Sequence, residues 1–161
     1  MARKTGIVAG ILALILTFFQ EIPIYPPNDW VLNLRLLVFD NLNIYIWGYL
    51  SNNQALSPIL LGSPENLVAL ALWLILLLIG VSSVFASTTK AKIGNSLKLY
   101  KINIVLTGLL LVIFGTSIIL LVLANLSIIL EIIGYGYYIL IIVLILNIIA
   151  LKKITSLKEE D

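Results

Sequence analysis

The 161-residue chain contains no cysteine and no histidine. Without cysteine there are no disulfides, thiolate metal sites, thiol redox chemistry or cysteine nucleophiles. Without histidine the commonest metal ligand and the commonest general base near neutral pH are also missing. Charge is scarce as well: 11% of residues carry one, against about 25% in an ordinary soluble domain. Hydrocarbon fills the space. Hydrophobic residues make up 61% of the chain and the mean hydropathy is +1.12, so the bilayer must serve as its solvent.

Four apolar runs end in polar or charged residues, at about 5–20, 66–88, 102–124 and 132–151. Roughly 20 apolar residues make one helical crossing of a hydrocarbon layer about 30 Å thick, and the last three runs qualify on length. The first is shorter and follows Ala2-Arg3-Lys4, the basic start of a secretory signal. It ends, however, in Thr17-Phe18-Phe19-Gln20-Glu21, with bulky residues where a signal peptidase needs small ones. The sequence therefore favours a retained first span, completed at the interface by Gln20 to Ile24, over a cleaved signal.

Charge sets the expected orientation. Arg3, Lys4, Lys90, Lys92, Lys98, Lys101, Lys152, Lys153 and Lys158 fall in the amino terminus, the 89–101 connection or the 152–161 tail. The positive-inside rule places those segments in the cytoplasm. The other side receives Glu21, Asp29, Asp40, Glu65 and Glu131, with Arg35 as its one cation. All five prolines, Pro23, Pro26, Pro27, Pro58 and Pro64, lie between the first two runs. Because proline removes a backbone donor and interrupts helices, 21–65 is expected to be a broken, extracellular loop and the spans continuous helices. Ser63-Pro64-Glu65-Asn66 reads as the start of the second helix, with a hydroxyl cap, a proline in the first turn and an acid near the positive dipole end.

Within that loop, Asn33 and Arg35 alternate with leucines before Asp40-Asn41, and Asn43 and Tyr45 alternate with Leu42, Ile44 and Ile46 after it. Alternation about a turn-prone dipeptide predicts a hairpin; the competing reading is an amphipathic helix lying on the outer leaflet. Four spans, cytoplasmic ends, a long first outer loop and a very short second one resemble the claudin-like tetraspan proteins. In that family the long loop forms a small antiparallel sheet carrying a Trp, then a Gly-Leu-Trp group, then two cysteines. Pro27-Asn28-Asp29-Trp30 matches the first Trp, and Tyr45-Ile46-Trp47-Gly48 stands at the second group. With no cysteine here, the strand-linking disulfide of that family is absent. The resemblance implies side-by-side or cell-to-cell contact through the first outer loop, with Trp30 and Trp47 supporting the sheet. Trp30, Arg35, Asp40, Trp47 and Tyr49 are accordingly the candidate partner or cap surface. The plainer reading of Trp30, Trp47, Tyr25, Tyr45 and Tyr49 is an aromatic belt at headgroup level.

Inside the spans, Gly6 and Gly10 in the first and Gly108 and Gly115 in the third are candidate packing positions, since small residues let helix backbones approach in lipid. Asn147 is the most conspicuous polar side chain of the fourth span; it lies near the cytoplasmic face, shallow enough for water or Ser83 of a neighbouring helix to satisfy its amide. Glu131 is expected to cap the outer end of the last helix. Asn125-Leu126-Ser127 is an N-glycosylation sequon on the outer side.

No nucleophile–base pair, paired carboxylates, metal-ligand cluster or Gly-rich phosphate loop is present. The expectation is an all-α membrane protein: a left-handed four-helix transmembrane bundle with a small extracellular β-hairpin or sheet cap. No enzyme activity and no cofactor are expected. The expected role is membrane organisation, adhesion or partner stabilisation, with the lipid bilayer and a second copy or other membrane proteins as partners and no nucleic acid. The alternatives are a small accessory subunit of a larger membrane complex and an oligomeric channel.

Overall fold

A computed structural model describes residues 2–25, 30–39, 42–51, 54–55, 64–88, 92–125 and 132–160. The chain is mostly helical, with α1 at Ala2–Phe18, α2 at Pro64–Ala86, α3 at Ile93–Asn125 and α4 at Tyr135–Glu160. Three segments, Leu67–Ala86, Ile93–Ala124 and Tyr135–Ser156, are long and apolar enough to cross a membrane and mark an integral membrane protein. α1 is apolar but shorter, at 17 residues.

Each helix packs on two others: α1 and α3 both lie against α2 and α4. The central core joins Ala13 and Leu16 of α1, Leu76 and Ile79 of α2, Leu110 and Phe114 of α3, and Leu140 and Val143 of α4. α1 and α2 run in opposite directions at close range. A Cβ on Gly10 would sit 2.8 Å from the Gly80 carbonyl oxygen and 3.0 Å from the Val84 nitrogen, so a side chain there has nowhere to go. One turn earlier, a Cβ on Gly6 would collide with the Tyr100 hydroxyl and Ser87 Oγ.

Between α1 and α2 the chain forms two antiparallel sheets. β1 (Glu21–Tyr25) pairs with β2 (Trp30–Asn33). β3 (Leu37–Phe39), β4 (Leu42–Tyr45), β5 (Gly48–Ser51) and β6 (Gln54–Ala55) form a four-stranded meander in sequence order. Phe39 pairs with Leu42, so the β3–β4 hairpin brackets the expected Asp40-Asn41 turn, whose two residues lie outside the described set. Tyr45 pairs with Gly48 across the next turn, and Gly48 holds φ at 149°, which a side chain would strain.

Several sequence boundaries need correction. Residues 30–50 are not one hairpin: β2 pairs with β1, and of the residues before the expected turn only β3 pairs with β4, because the chain bends at Leu34–Leu36. These residues are strands rather than the competing surface helix. Gln20–Ile24 does not complete α1; the helix stops at Phe18 and β1 begins at Glu21, its backbone donors and acceptors taken by β2. The 89–101 connection is largely helical, since α3 starts at Ile93, and the tail at 152–161 continues α4 to Glu160. Both extensions exist because one face of each is buried. Tyr100 and Ala150 are fully buried together with Ala86 and Ile154, while Lys98, Lys101, Lys152 and Lys153 remain exposed on the opposite faces.

Candidate functional site

The antiparallel helices sort their polar groups to two ends. At one end lie Lys4, Lys92, Lys98, Lys101, Lys152 and Lys153, all exposed; at the other lie the sheets with Glu21 and Arg35.

Near the lysine end, serines and asparagines from three helices meet. Asn103 Nδ2 donates to Ser83 Oγ at 2.8 Å, and Ser83 Oγ donates to Asn147 Oδ1 at 2.9 Å. Asn147 Nδ2 donates in turn to the Val143 carbonyl at 2.9 Å, and Ser82 Oγ donates to Asn103 Oδ1 at 2.6 Å. Ser87 Oγ lies 2.6 Å from the Tyr100 hydroxyl, and Ser96 Oγ donates to the Ala86 carbonyl at 2.8 Å, tying the start of α3 to the end of α2. Ser83, Ser87, Ser96, Asn103 and Asn147 are all buried. In an apolar interior such groups must find partners, and these find one another. The pairing of Asn147 with Ser83 was legible in the sequence; Asn103, Tyr100 and Ser96 were missed because they fall where a loop or the start of a span was expected.

At the sheet end the joint is made by backbone. Gly134 N donates to the Leu36 carbonyl at 3.0 Å and Gly136 N donates to the Arg35 carbonyl at 2.8 Å, with a further bridge between Leu37 and Ile133. A Cβ on Gly134 would collide with the Arg35 carbonyl, and one on Gly136 with that of Leu34. Gly134-Tyr135-Gly136 was the available signal: two glycines flanking one residue at the mouth of a helix suit a close approach of another backbone.

Of the expected cap surface, Arg35 is half-buried. Its guanidinium donates to Asn43 Oδ1 at 3.0 Å, its backbone N–H donates to Asn33 Oδ1 at 3.1 Å, and its Nε is buried without a partner among the described residues. Tyr45 is buried, stacked on Trp47 at 4.9 Å with its hydroxyl donating to Asn33 Oδ1 at 2.8 Å, so its ring belongs to the cap interior rather than to an aromatic belt. Trp47 is half-buried against the core. Trp30 opens β2 and Tyr49 pairs with Ile44 in β5. Asp40 and Glu131 lie outside the described residues, as do the second and third residues of the sequon whose Asn125 ends α3. Among the packing glycines, Gly6 and Gly10 meet α2 and α3, a Cβ on Gly115 would lie 3.3 Å from the Tyr137 hydroxyl, and one on Gly108 would meet nothing. Among the described residues no three acidic side chains gather into a metal-binding group.

Comparison of the chain with protein-family models, curated proteins and solved structures finds no match in any of the three.

Proposed function

We propose that the chain crosses the bilayer four times, with both ends cytoplasmic and the sheets outside, and serves as a non-catalytic membrane protein that organises, adheres or stabilises partners. Segregation of the exposed lysines to the end opposite the sheets supports this orientation. α1, about 26 Å long by helix rise, supplies the shortest crossing, its neighbours α2 and α4 flanking it.

The observation that carries the role is the seating of the cap. Backbone hydrogen bonds from Gly134 and Gly136 fix the β2–β3 bend on the mouth of α4, which suits a stiff platform for partner contact. The buried serines and asparagines are spent on one another, which favours a scaffold over a pore lined by them. The resemblance to claudin-like proteins implies that copies meet through the first outer loop around Trp30 and Trp47. The accessory-subunit reading draws on a different feature: bare Gly108 is flanked by exposed Val105, Leu109 and Val112 on α3, a flank that suits another protein's helix.

Affinity purification in mild detergent, with mass identification of co-purifying chains, separates these readings. A self-associating ladder supports the scaffold, and stoichiometric recovery with a catalytic partner supports the subunit. Selective ion flux from liposomes holding the pure protein sinks both. Protease or label mapping that found residues 50 and 95 on the same side of the membrane would overturn the orientation.

A further inference from the structure

Alternation in β4 puts Leu42 and Ile44 on one face, and the following turn brings Ile46 and Gly48 beside them. Opposite stand Val68, Ala69 and Leu72, which share one face of α2 by helical spacing, and Phe114 of α3. Between these walls lies a groove of about 300 Å³. Among the described residues that line it, Tyr45 alone has a polar side-chain atom, and that hydroxyl is already committed to Asn33. The groove therefore offers almost nothing for a polar ligand to bond, and burying such a ligand there would strand its polar groups.

We propose that this groove holds one acyl chain of a membrane phospholipid from the sheet-side leaflet. Three observations converge on that occupant. The groove is continuous with the lipid-facing flank of α2, where Leu67, Val68, Leu74 and Leu78 are 43–59% exposed in a segment able to span the membrane. Its depth suits a chain rather than a headgroup: Val68 and Leu72 lie about 2 and 8 Å below the start of the apolar segment at Leu67, within the roughly 15 Å hydrocarbon thickness of one leaflet. Its volume of about 300 Å³ is less than a single turn of a partner's helix would fill, roughly 420 Å³ for a cylinder about 10 Å across. The small side chains of Ala69 and Gly48 keep the slot open between larger neighbours. The assignment rests on membrane insertion of α2 and α3 alone and stands or falls separately from the scaffold role.

Native mass spectrometry of the full chain, purified in mild detergent and given dioleoylphosphatidylcholine, tests it. The wild-type chain should retain one phospholipid per chain. Ala69→Phe, which fills the slot, should weaken lipid affinity about tenfold, a loss of about 1.4 kcal/mol, read as a lower retained fraction. Val81→Phe, on an exposed part of α2 away from the groove, should retain lipid like the wild type. Should Ala69→Phe fail to fold, Ala69→Leu replaces it with a thermal readout. Delipidated wild-type chain should gain roughly 5 °C in Tm on addition of the lipid, and Ala69→Leu less than half of that gain. No retained lipid, equal retention in the Ala69 and Val81 variants, an equal thermal gain in Ala69→Leu, or a dimer that Ala69→Phe abolishes would each overturn the proposal.

Discussion

At the lysine end of the bundle, α2, α3 and α4 meet through side chains: asparagine amides and serine hydroxyls reach across a gap that ordinary helix spacing leaves. At the sheet end, the strands and α4 meet backbone to backbone, with glycines removing the intervening side chains and amide N–H groups donating directly to carbonyls. The first kind of joint tolerates small shifts, because side chains have rotamers to adjust. The second does not, because a carbonyl cannot move without its strand. Lipid gives helices no hydrophobic reason to associate, so both ends depend on polar bonds and close packing, distributed differently.

The contrast is sharpest at Gly134. Gly134→Ala forces the added methyl into the Arg35 carbonyl and should cost about 3 kcal/mol, read as a fall in Tm in detergent together with faster protease cleavage in 21–65. Asn147→Leu leaves the Ser83 hydroxyl without its acceptor and should cost about 1–2 kcal/mol by the same thermal assay, with the cap as protease-resistant as before. If Asn147→Leu proved the more damaging of the two, the ranking of the joints would invert. Trp73→Phe removes the indole N–H that donates to the Thr17 carbonyl at 3.0 Å while leaving a ring to meet Phe18 edge-on. It should cost about 0.5–1 kcal/mol on thermal unfolding. Gly108→Ala adds a methyl where nothing lies within 4 Å. It should change the stability of the isolated chain by less than about 0.5 kcal/mol, and a large loss seen only with co-purified partners bound would show that another helix occupies that flank.

Much of the helical layout could be read from the sequence because long apolar runs have few other uses. Pro64 stands at the first position of α2, where its missing donor is no loss. The ends of the helices were obscured by their own lysines: in Lys98-Leu99-Tyr100-Lys101 the charges signal water, and only packing against Ala150 and Ile154 reveals that Tyr100 turns inward. The Asp40-Asn41 hairpin was legible from alternation, whereas the exchange of pairing partners between Asn33 and Leu37 was not, because Leu34, Arg35 and Leu36 continue the same alternating text through the bend. The bonding partners of the cap side chains were not legible. Arg35 and Tyr45 look like exterior side chains by type, and each is instead bonded to an asparagine within the cap. Asparagine partners at those spacings leave no periodic trace.

The hydrogen bonds that run from Ser82 through Asn103 and Ser83 to Asn147 also act as a ward in a lock. Greasy cylinders can glide past one another in oil at little cost, and a leucine face looks much the same after one turn of travel. Such a step moves a helix about 5.4 Å along its axis, enough to pull an amide out of reach of its hydroxyl. Three helices of nearly uniform hydrocarbon thereby acquire a single vertical alignment, encoded by four side chains.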